Sequence, residues 1–321
     1  MRTSKGRGFL YYTALILFTA YVLLDTFVIP RSYAAVTDNS TGTVQQTAQS
    51  SSAADSSSGF QNAGAAGGSG DSSGSSAAVS TDTSYSAGGV SITLTTTRYC
   101  DTTVYVADIT LSSTSSLKTA LANDTYGKNI TAATSAIASA HSAILAINGD
   151  YYGAQNSGYV IRNGVVYRST ASSSDQEDLV IGSDGSFSII REGDVTAQEL
   201  ADSGAWQVLS FGPALLENSE ITVGENSEVD KAKTSNPRTA IGEISPLHYV
   251  FVVADGRTSA SGGLSLYHLA QFMESLNVTT AYNLDGGGSS TLYFNGAVVN
   301  NPTTNGRTIS ERKVSDIVYI G

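Results

Sequence analysis

Three apolar stretches of the sequence are each followed by an acidic residue beside glycine. The strings are Ile147-Asn148-Gly149-Asp150-Tyr151-Tyr152, Ala254-Asp255-Gly256-Arg257 and Asn283-Leu284-Asp285-Gly286-Gly287-Gly288-Ser289-Ser290. Carboxylates serve as general acids and bases, and glycines let backbone amides approach a ligand closely. Polar turns at strand ends place functional groups on a rigid support. We therefore expect the three strings to converge on one cleft.

The chemistry around these strings favours a sugar carrying an anionic group. Tyrosines lie beside the carboxylates and amides, a mixture that suits the apolar faces and hydroxyl edges of sugar rings. The string Pro237-Arg238-Thr239 adds a guanidinium, whose fork pairs with a carboxylate or a phosphate. The Asp285 string lacks the Gly-Lys-Ser/Thr ending of a nucleotide phosphate loop. Taken alone, it also fits a glycine-rich turn in which Asp285 caps backbone amides.

The elements that position these groups are mainly strands. Strands are predicted from alternating or unbroken apolar residues at 90–99, 104–111, 143–147, 159–162, 165–168, 179–181, 187–190, 249–254, 278–284, 290–294, 298–299 and 314–320. Helices are predicted at 131–141 and, from an apolar stripe at helical spacing, at 264–276. We predict an α+β domain built on mixed or antiparallel sheets with a few packed helices.

The amino-terminal part predicts export. Residues 1–33 begin with basic residues and continue with a largely apolar run from Phe9 to Ile29. Such a run can cross a hydrocarbon core of about 30 Å, so it is predicted to be a transmembrane signal anchor with a cytoplasmic amino terminus. A signal peptide cleaved near Ala34 is the alternative. Either interpretation places the rest of the chain outside the cell, with the membrane as a partner if the anchor stays.

Composition separates a linker from one globular domain. Residues 34–88 are rich in Ser, Gly and Ala, which predicts a disordered linker with a reach on the order of 40 Å. The domain then occupies 89–321. The net charge of -11 argues against a nucleic-acid partner, which needs an excess of Lys and Arg. A single Cys excludes a disulfide framework and a Cys-rich metal site.

Together with Pro237-Arg238-Thr239-Ala240-Ile241-Gly242, the three strings resemble the phosphodiester glycosidase family. The resemblance runs from about Val90 to Gly321, with the motifs in the expected order, and Arg312 fits the family pattern as well. The string from Asn283 to Ser290 is its most specific element. The resemblance implies hydrolysis of a sugar 1-phosphodiester, and in bacteria similar domains are associated with exopolysaccharide or other cell-envelope glycans.

Residue roles follow as hypotheses from that resemblance. Asp285 is the first candidate for the catalytic carboxylate, and Asp150 and Asp255 come next. The remaining candidates would bind the substrate: Asn148 at sugar hydroxyls or an acetamide, Arg238 as the leading phosphate clamp, then Arg257 and Arg312, with Gly286, Gly287, Gly288 and Ser289 lining the pocket. A phosphate is a good leaving group, so the demand for a strong general acid is low.

Several alternatives stay open from the sequence. The domain could bind glycans without turnover, or it could hydrolyse an acidic polysaccharide whose uronates the arginines recognise. Arg312 could instead form a surface ion pair with Glu311 or Asp316. No cofactor is predicted, although three nearby carboxylates could hold Ca²⁺.

Overall fold

The computed structural model of the chain describes residues 4–36, 79–227 and 235–321. Most of the predicted linker, residues 37–78, therefore lies outside the described residues.

The described residues form four helices and many short strands. The helices are α1 (Ser4–Phe27), α2 (Thr134–Ala140), α3 (Ala197–Asp202) and α4 (Leu266–Ser275). The strands are β1 (Arg31–Ser32), β2 (Val79–Ser80), β3 (Ser84–Ala87), β4 (Val90–Tyr99), β5 (Thr102–Leu111), β6 (Leu117–Leu121), β7 (Gly127–Lys128), β8 (Leu145–Asn148), β9 (Val160–Arg162), β10 (Val165–Arg168), β11 (Glu177–Gly182), β12 (Phe187–Arg191), β13 (Ala205–Leu209), β14 (Ala214–Glu217), β15 (Glu220–Ile221), β16 (Arg238–Ser245), β17 (His248–Ala254), β18 (Thr280–Asn283), β19 (Leu292–Phe294), β20 (Ala297–Val298) and β21 (Asp316–Ile320).

Every strand pairing in the described residues is antiparallel. A nine-stranded sheet has the order β15-β14-β18-β16-β17-β5-β4-β3-β2, and two five-stranded sheets have the orders β20-β19-β8-β21-β6 and β10-β9-β13-β11-β12. The α+β class is confirmed, and the sheets are antiparallel rather than mixed. In the nine-stranded sheet β17 and β18 both pair with β16, so they run in the same direction and end at the same edge.

The main core is the layer between the nine-stranded sheet and the two smaller ones. Phe251 and Tyr282 of the large sheet share one buried cluster with Ile147, Val318 and Leu179 of the small sheets. Each such side chain, fully withdrawn from water, contributes about 1.5–3 kcal/mol. This packing fixes the ends of β8, β17 and β18, from which the three strings leave.

Helix α4 covers the other face of the nine-stranded sheet. It begins at Ser265, whose Oγ accepts a hydrogen bond from the His268 amide at 3.1 Å, the usual N-terminal cap. Leu269 and Met273 are fully buried against that sheet. The apolar stripe predicted from the sequence is confirmed, and α2 covers the sheet of β8 in a similar way through Ile137.

The folded domain begins earlier than residue 89. Strand β3 pairs with β4, with Tyr85 opposite Ile92, and β2 continues the same sheet at its edge. The predicted boundary at residue 88 is therefore too late, because this hairpin lies in a segment whose Ser-rich composition hides it. The structured chain resumes by Val79.

The segment after α1 is docked on the domain. Strand β1 pairs with β7, with Arg31 opposite Lys128. The Tyr33 amide donates to the Tyr126 carbonyl at 2.8 Å, and the Val36 amide donates to the Val166 carbonyl at 2.9 Å. The linker predicted to start at residue 34 thus begins with docked residues.

The apolar run predicted to be a membrane anchor does form a helix. Side chains along α1 from Tyr12 to Leu24 are largely exposed. However, no helix within the described ranges is long and apolar enough to cross a membrane. The predicted transmembrane span is therefore not supported.

Candidate functional site

The glycine string after β18 forms a tight loop against the start of β16. The Gly287 amide donates to the Pro237 carbonyl at 2.8 Å, with Gly287 at a φ of +62°. A methyl group added at Gly286 would lie 2.9 Å from that same carbonyl, and one at Gly288 would lie 2.2 Å from Thr304 Oγ1. Glycine is required here because backbone and neighbours approach too closely for any side chain.

Asp285 is held at the rim of this loop by two side chains. Arg312 Nη2 lies 3.1 Å from both carboxylate oxygens. Ser289 Oγ donates to Oδ2 at 2.6 Å and accepts from Arg312 Nε at 2.8 Å. Burial raises the pKa of Asp285, while the Arg312 charge and the Ser289 hydrogen bond oppose that shift. Arg312 therefore pairs with Asp285 and not with Glu311 or Asp316 in a surface contact.

Two further arginines lie beside the same loop without an acid of their own. Arg238 is 4% exposed, and its Nε donates to the Leu264 carbonyl at 3.0 Å. Arg257 donates from Nη1 to the Thr304 carbonyl at 2.7 Å and from Nη2 to Asn236 Oδ1 at 3.2 Å. Among the described residues no carboxylate forms an ion pair with either guanidinium.

The pKa values of these arginines reflect the missing counter-charges. Burial, followed by the neighbouring Arg257 charge, lowers the pKa of Arg238 to about 10. Burial and the Arg312 charge lower the pKa of Arg257, and Asp285 opposes this. Like charges that repel one another in a poorly solvated place favour a bound anion.

Asn148 lies beneath the loop and is fully buried at the end of β8. Its Nδ2 donates to the Asp285 carbonyl at 2.6 Å, and its Oδ1 accepts from Thr239 Oγ1 at 2.8 Å. These bonds tie the Asp285 loop to β8 and β16. Asn148 was predicted to hold sugar hydroxyls or an acetamide, and in the structure these contacts engage both ends of its amide.

Asp150 belongs to a second, buried cluster. Arg162 Nη2 lies 2.7 Å from an oxygen of Asp150 and 2.8 Å from one of Asp316, and its Nη1 also donates to the Val208 carbonyl. The amides of Tyr152 and Ser210 donate to Asp150 at 3.0 and 2.9 Å. Both carboxylates and the guanidinium are at most 2% exposed. Asp150 thus acts in this arrangement as a partner of Arg162 and has no exposed oxygen facing the Asp285 loop.

Asp255 also has its oxygens engaged. Its Oδ1 accepts from Asn300 Nδ2 and the Asn301 amide at 3.1 and 3.0 Å, and its Oδ2 accepts from Asn301 Nδ2 at 3.1 Å. Tyr105 Oη donates to Oδ2 at 3.3 Å. Asp255 therefore connects the segment after β20 to the end of β17. It was predicted to share a cleft with Asp285, and no direct contact between the two side chains is seen among the described residues.

The structure thus divides the predicted residues. It brings together those of the Asp285 loop and the three arginines: Arg238, Arg257, Asp285, Gly286, Gly287, Gly288, Ser289 and Arg312. It places Asn148 underneath, and neither Asp150 nor Asp255 has a recorded side-chain contact with Asp285. We call the assembled set the Asp285 site. In the described part of the chain no three His, Cys, Asp or Glu residues are placed to hold a metal ion.

Sequence reasoning missed Arg162 and Asp316, which dominate the buried cluster. Arg162 ends β9 and Asp316 begins β21, and each has an apolar neighbour on the strand side, Ile161 and Ile317. A buried arginine needs an acidic partner, and this requirement is the signal in the sequence that could have indicated the buried cluster. A groove of about 460 Å³ lined by residues such as Arg191 and Glu217 contains none of the predicted site residues.

Comparisons with known proteins extend the argument. The model of the phosphodiester glycosidase family matches residues 141–321. Over 156 residues the chain is 30% identical to the SPβ prophage-derived uncharacterised protein YomE of Bacillus subtilis, covering 48% of this chain and 23% of that protein. It is 29% identical over 136 residues to mouse N-acetylglucosamine-1-phosphodiester α-N-acetylglucosaminidase, covering 36% of this chain and 26% of the enzyme. The human enzyme is 33% identical over 109 residues, or 30% of this chain and 21% of the enzyme. The chain thus spans about a quarter of the length of these relatives.

Solved structures share the fold. The catalytic domain of the zebrafish enzyme, auto-inhibited by its pro-peptide, superposes with a TM-score of 0.57 at 21% identity, over 72% of this chain and 82% of that domain. A hypothetical protein from Synechocystis gives a TM-score of 0.52 at 15% identity, over 72% of this chain and 62% of that one. The family model covers more than half of the chain and includes the whole of the Asp285 loop. The chain belongs to the phosphodiester glycosidase family.

Proposed function

We propose that this chain is a hydrolase that cleaves a sugar 1-phosphodiester at the Asp285 site, releasing the sugar and leaving a phosphomonoester. Family membership supports glycosidase chemistry, and the names of the mammalian relatives suggest N-acetylglucosamine as the sugar. The observation that carries the proposal is one carboxylate, Asp285, paired with Arg312 at the same loop where Arg257 and Arg238 have no acid of their own. That pattern matches a reaction in which positive charge develops on a sugar while a phosphate departs.

The arginines bind and stabilise the departing phosphate. Arg257 and Arg312 stand beside Asp285, and their charges favour the phosphate oxygens as the sugar–oxygen bond breaks. The glycines let the Arg257 side chain approach the loop backbone closely, which places that guanidinium beside the Asp285 loop. A phosphomonoester is a stable leaving group, so no strong general acid is required.

Asp285 supplies the negative charge that the sugar needs. Burial raises the pKa of Asp285, and its ion pair with Arg312 opposes that shift by favouring the ionised carboxylate. It either stabilises an oxocarbenium-like sugar or accepts a proton from the attacking water. Ser289 and Asn148 fix its orientation through the side chain and the backbone, respectively.

The test is release of free sugar from methyl-phospho-GlcNAc by the purified chain. Wild-type protein should release GlcNAc, and Asp285→Asn should reduce kcat by roughly 10²–10⁴-fold with an unchanged thermal melt. Asp202→Asn, at the exposed end of α3, is the matched control and should retain full activity. An inactive wild type that still binds the glycan would instead favour a non-catalytic binding module. Release from an unphosphorylated uronate polymer alone would favour the acidic-polysaccharide alternative.

We further propose that the chain acts on cell-envelope or extracellular glycans. The support is the basic and apolar amino-terminal sequence, which is typical of exported proteins. Protease treatment of intact cells that express the chain should degrade the domain. A domain protected until the cells are lysed would contradict export.

A further inference from the structure

The three guanidinium groups of the Asp285 site lie in a row that leads away from the carboxylate. Arg312 contacts Asp285 itself and donates to the Gly286 carbonyl at 2.8 Å. Arg257 comes next, since a methyl group at Gly287 would lie 2.8 Å from its Nη2. Arg238 is last, with its Nε bonded to the Leu264 carbonyl just before α4.

Hydrogen bonds connect the second arginine to the third. Arg257 Nη2 donates to Asn236 Oδ1, and the Asn236 amide donates to the Leu264 carbonyl at 3.1 Å. Arg238 Nε donates to that same carbonyl.

The pKa of Arg257 is lowered by burial and then by Arg312, whereas that of Arg238 is lowered by burial and then by Arg257. Asp285 acts on Arg257 and is absent from the influences on Arg238. Arg238 is thus the guanidinium farthest from the carboxylate in electrostatic terms.

The charges do not balance for a single phosphodiester. Three guanidinium groups and one carboxylate leave two positive charges on the described side chains of the site. A phosphodiester between a sugar and an alcohol carries one negative charge, whereas a diphosphate diester carries two. Burying an uncompensated cation is costly, so a site of this kind favours a ligand that supplies both negative charges.

We propose that the preferred substrate is a sugar linked through a diphosphate, with the sugar-proximal phosphate between Arg312 and Arg257 and the distal phosphate between Arg257 and Arg238. The inference rests on the proposed function and refines its substrate class. The reaction is unchanged: water adds at the sugar carbon, the sugar–oxygen bond breaks, and the diphosphate monoester leaves with that oxygen. Arg238 then becomes a specificity residue that recognises the second phosphate.

The neighbourhood of Arg238 suits an anion. Helix α4 has ten residues and begins directly after Leu264 and Ser265, so its positive end lies beside the Arg238 guanidinium. Arg238 is also buried, with an exposed fraction of 4%. A phosphate oxygen there is attracted more strongly than at an exposed arginine because screening is weak.

The decisive measurement is a ratio of kcat/KM values for UDP-GlcNAc and methyl-phospho-GlcNAc. In the wild type we expect the diphosphate to be preferred by about 10-fold or more, the usual effect of one additional charged contact. In Arg238→Gln this preference should fall by about 10-fold, and Arg238→Lys should restore part of it. Arg312→Gln should slow both substrates together. An unchanged ratio in Arg238→Gln would overturn the proposal.

A third substrate separates the second phosphate from the nucleoside. GlcNAc linked by a diphosphate to a short prenyl chain should be preferred over the methyl ester just as UDP-GlcNAc is, with the same dependence on Arg238. A preference confined to UDP-GlcNAc would assign the effect to uridine and overturn the proposal. Arg191→Gln, at a largely exposed arginine 3.8 Å from Glu177, is the matched control and should leave the ratio unchanged.

A binding measurement keeps this inference distinct from catalysis. Inorganic pyrophosphate should bind the wild-type chain about 10-fold more tightly than inorganic phosphate by titration calorimetry, and Arg238→Gln should abolish the difference. Equal binding of the two anions would contradict the inference. Hydrolysis of the methyl ester with no preference for a diphosphate would leave the proposed function intact, whereas absence of hydrolysis with all three substrates would remove that function.

Discussion

The Arg162 cluster and the Asp285 site both combine arginine with carboxylate, and they are built in opposite ways. In the buried cluster one guanidinium, Arg162, serves two carboxylates, and all three side chains are at most 2% exposed. In the Asp285 site three guanidinium groups accompany one carboxylate, which only Arg312 contacts, and the side chain of Arg312 is 40% exposed. The first cluster has more carboxylates than guanidinium groups, and the second has more guanidinium groups than carboxylates.

This difference separates a framework from a binding site. Arg162 donates four hydrogen bonds to groups within the fold, and its Nη2 also lies 2.8 Å from Asp316 Oδ2, so all three of its nitrogens are engaged. At the Asp285 site the arginines bond mainly to neutral carbonyl and amide oxygens, which leave their charge uncompensated. The balance of charges within each cluster, more than the presence of carboxylates, indicates which one binds an anion.

The prediction with the largest expected effect compares Arg162 with Arg312. Arg162→Gln should lower the free energy of unfolding by about 3–5 kcal/mol, because it leaves two carboxylates buried without their partner. Arg312→Gln should lower it by only about 1 kcal/mol, since its pair is partly exposed and screened, while it greatly reduces hydrolysis. Urea denaturation beside the sugar-release assay measures both. Equal losses of stability would contradict the distinction.

The second prediction concerns how the free energy of unfolding depends on pH. Burial raises the pKa of Asp316 in the folded chain above its ordinary value, so the folded state holds that proton more tightly than the unfolded chain. The stabilisation is complete in acid, below the unfolded pKa, and is lost as pH rises towards the raised value. It amounts to at most about 1.4 kcal/mol per pH unit. Asp316→Asn should therefore flatten the dependence of unfolding free energy on pH.

Asp178 limits the size of that effect. Burial raises its pKa as well, next to Glu192, so part of the pH dependence should persist in Asp316→Asn. Asp285→Asn serves as the comparison from the other cluster and should change stability less over the same pH range. A wild-type protein that becomes steadily more stable from pH 5 to pH 7 would contradict the sign.

The smallest test concerns the glycine loop. Gly287→Ala should cost about 1–2 kcal/mol from its positive φ and should also displace Arg257, raising KM by about 10-fold. Gly296→Ala is the matched control, because its φ is +91° but no atom lies within 4 Å of the added methyl group. It should show the backbone cost with an unchanged KM. A raised KM in both variants would indicate a general loss of rigidity in the domain and would contradict a specific effect on Arg257.

The fold was largely predictable because its signals are local. The hairpin from β9 to β10 turns at Asn163 and Gly164, both at positive φ, as the Asn-Gly pair predicts. The helix α3 was missed although Thr196 and Glu199 form a capping box, since only two of its residues are buried. The run from β13 to β16 was likewise mostly overlooked, because its short strands lack clear alternation.

The site was predictable only in part, for a physical reason. Asp150, Asp255 and Asp285 look equivalent in the sequence, each next to glycine after an apolar stretch. Their roles differ because of partners far along the chain: Arg162 for the first, Asn300 and Asn301 for the second, and the arginine row for the third. A single sequence carries no information on such distant pairings.

The docked segment after α1 determines how close the amino-terminal helix lies to the domain. Val36 and Val79 both contact the folded domain, the first through Val166 and the second through β3. The carboxyl end of α1 is held at the domain by its own contacts, including a hydrogen bond from Asn129 Nδ2 to the Thr26 carbonyl at 3.2 Å. The pairing of β1 with β7 therefore sets the distance between this helix and the domain.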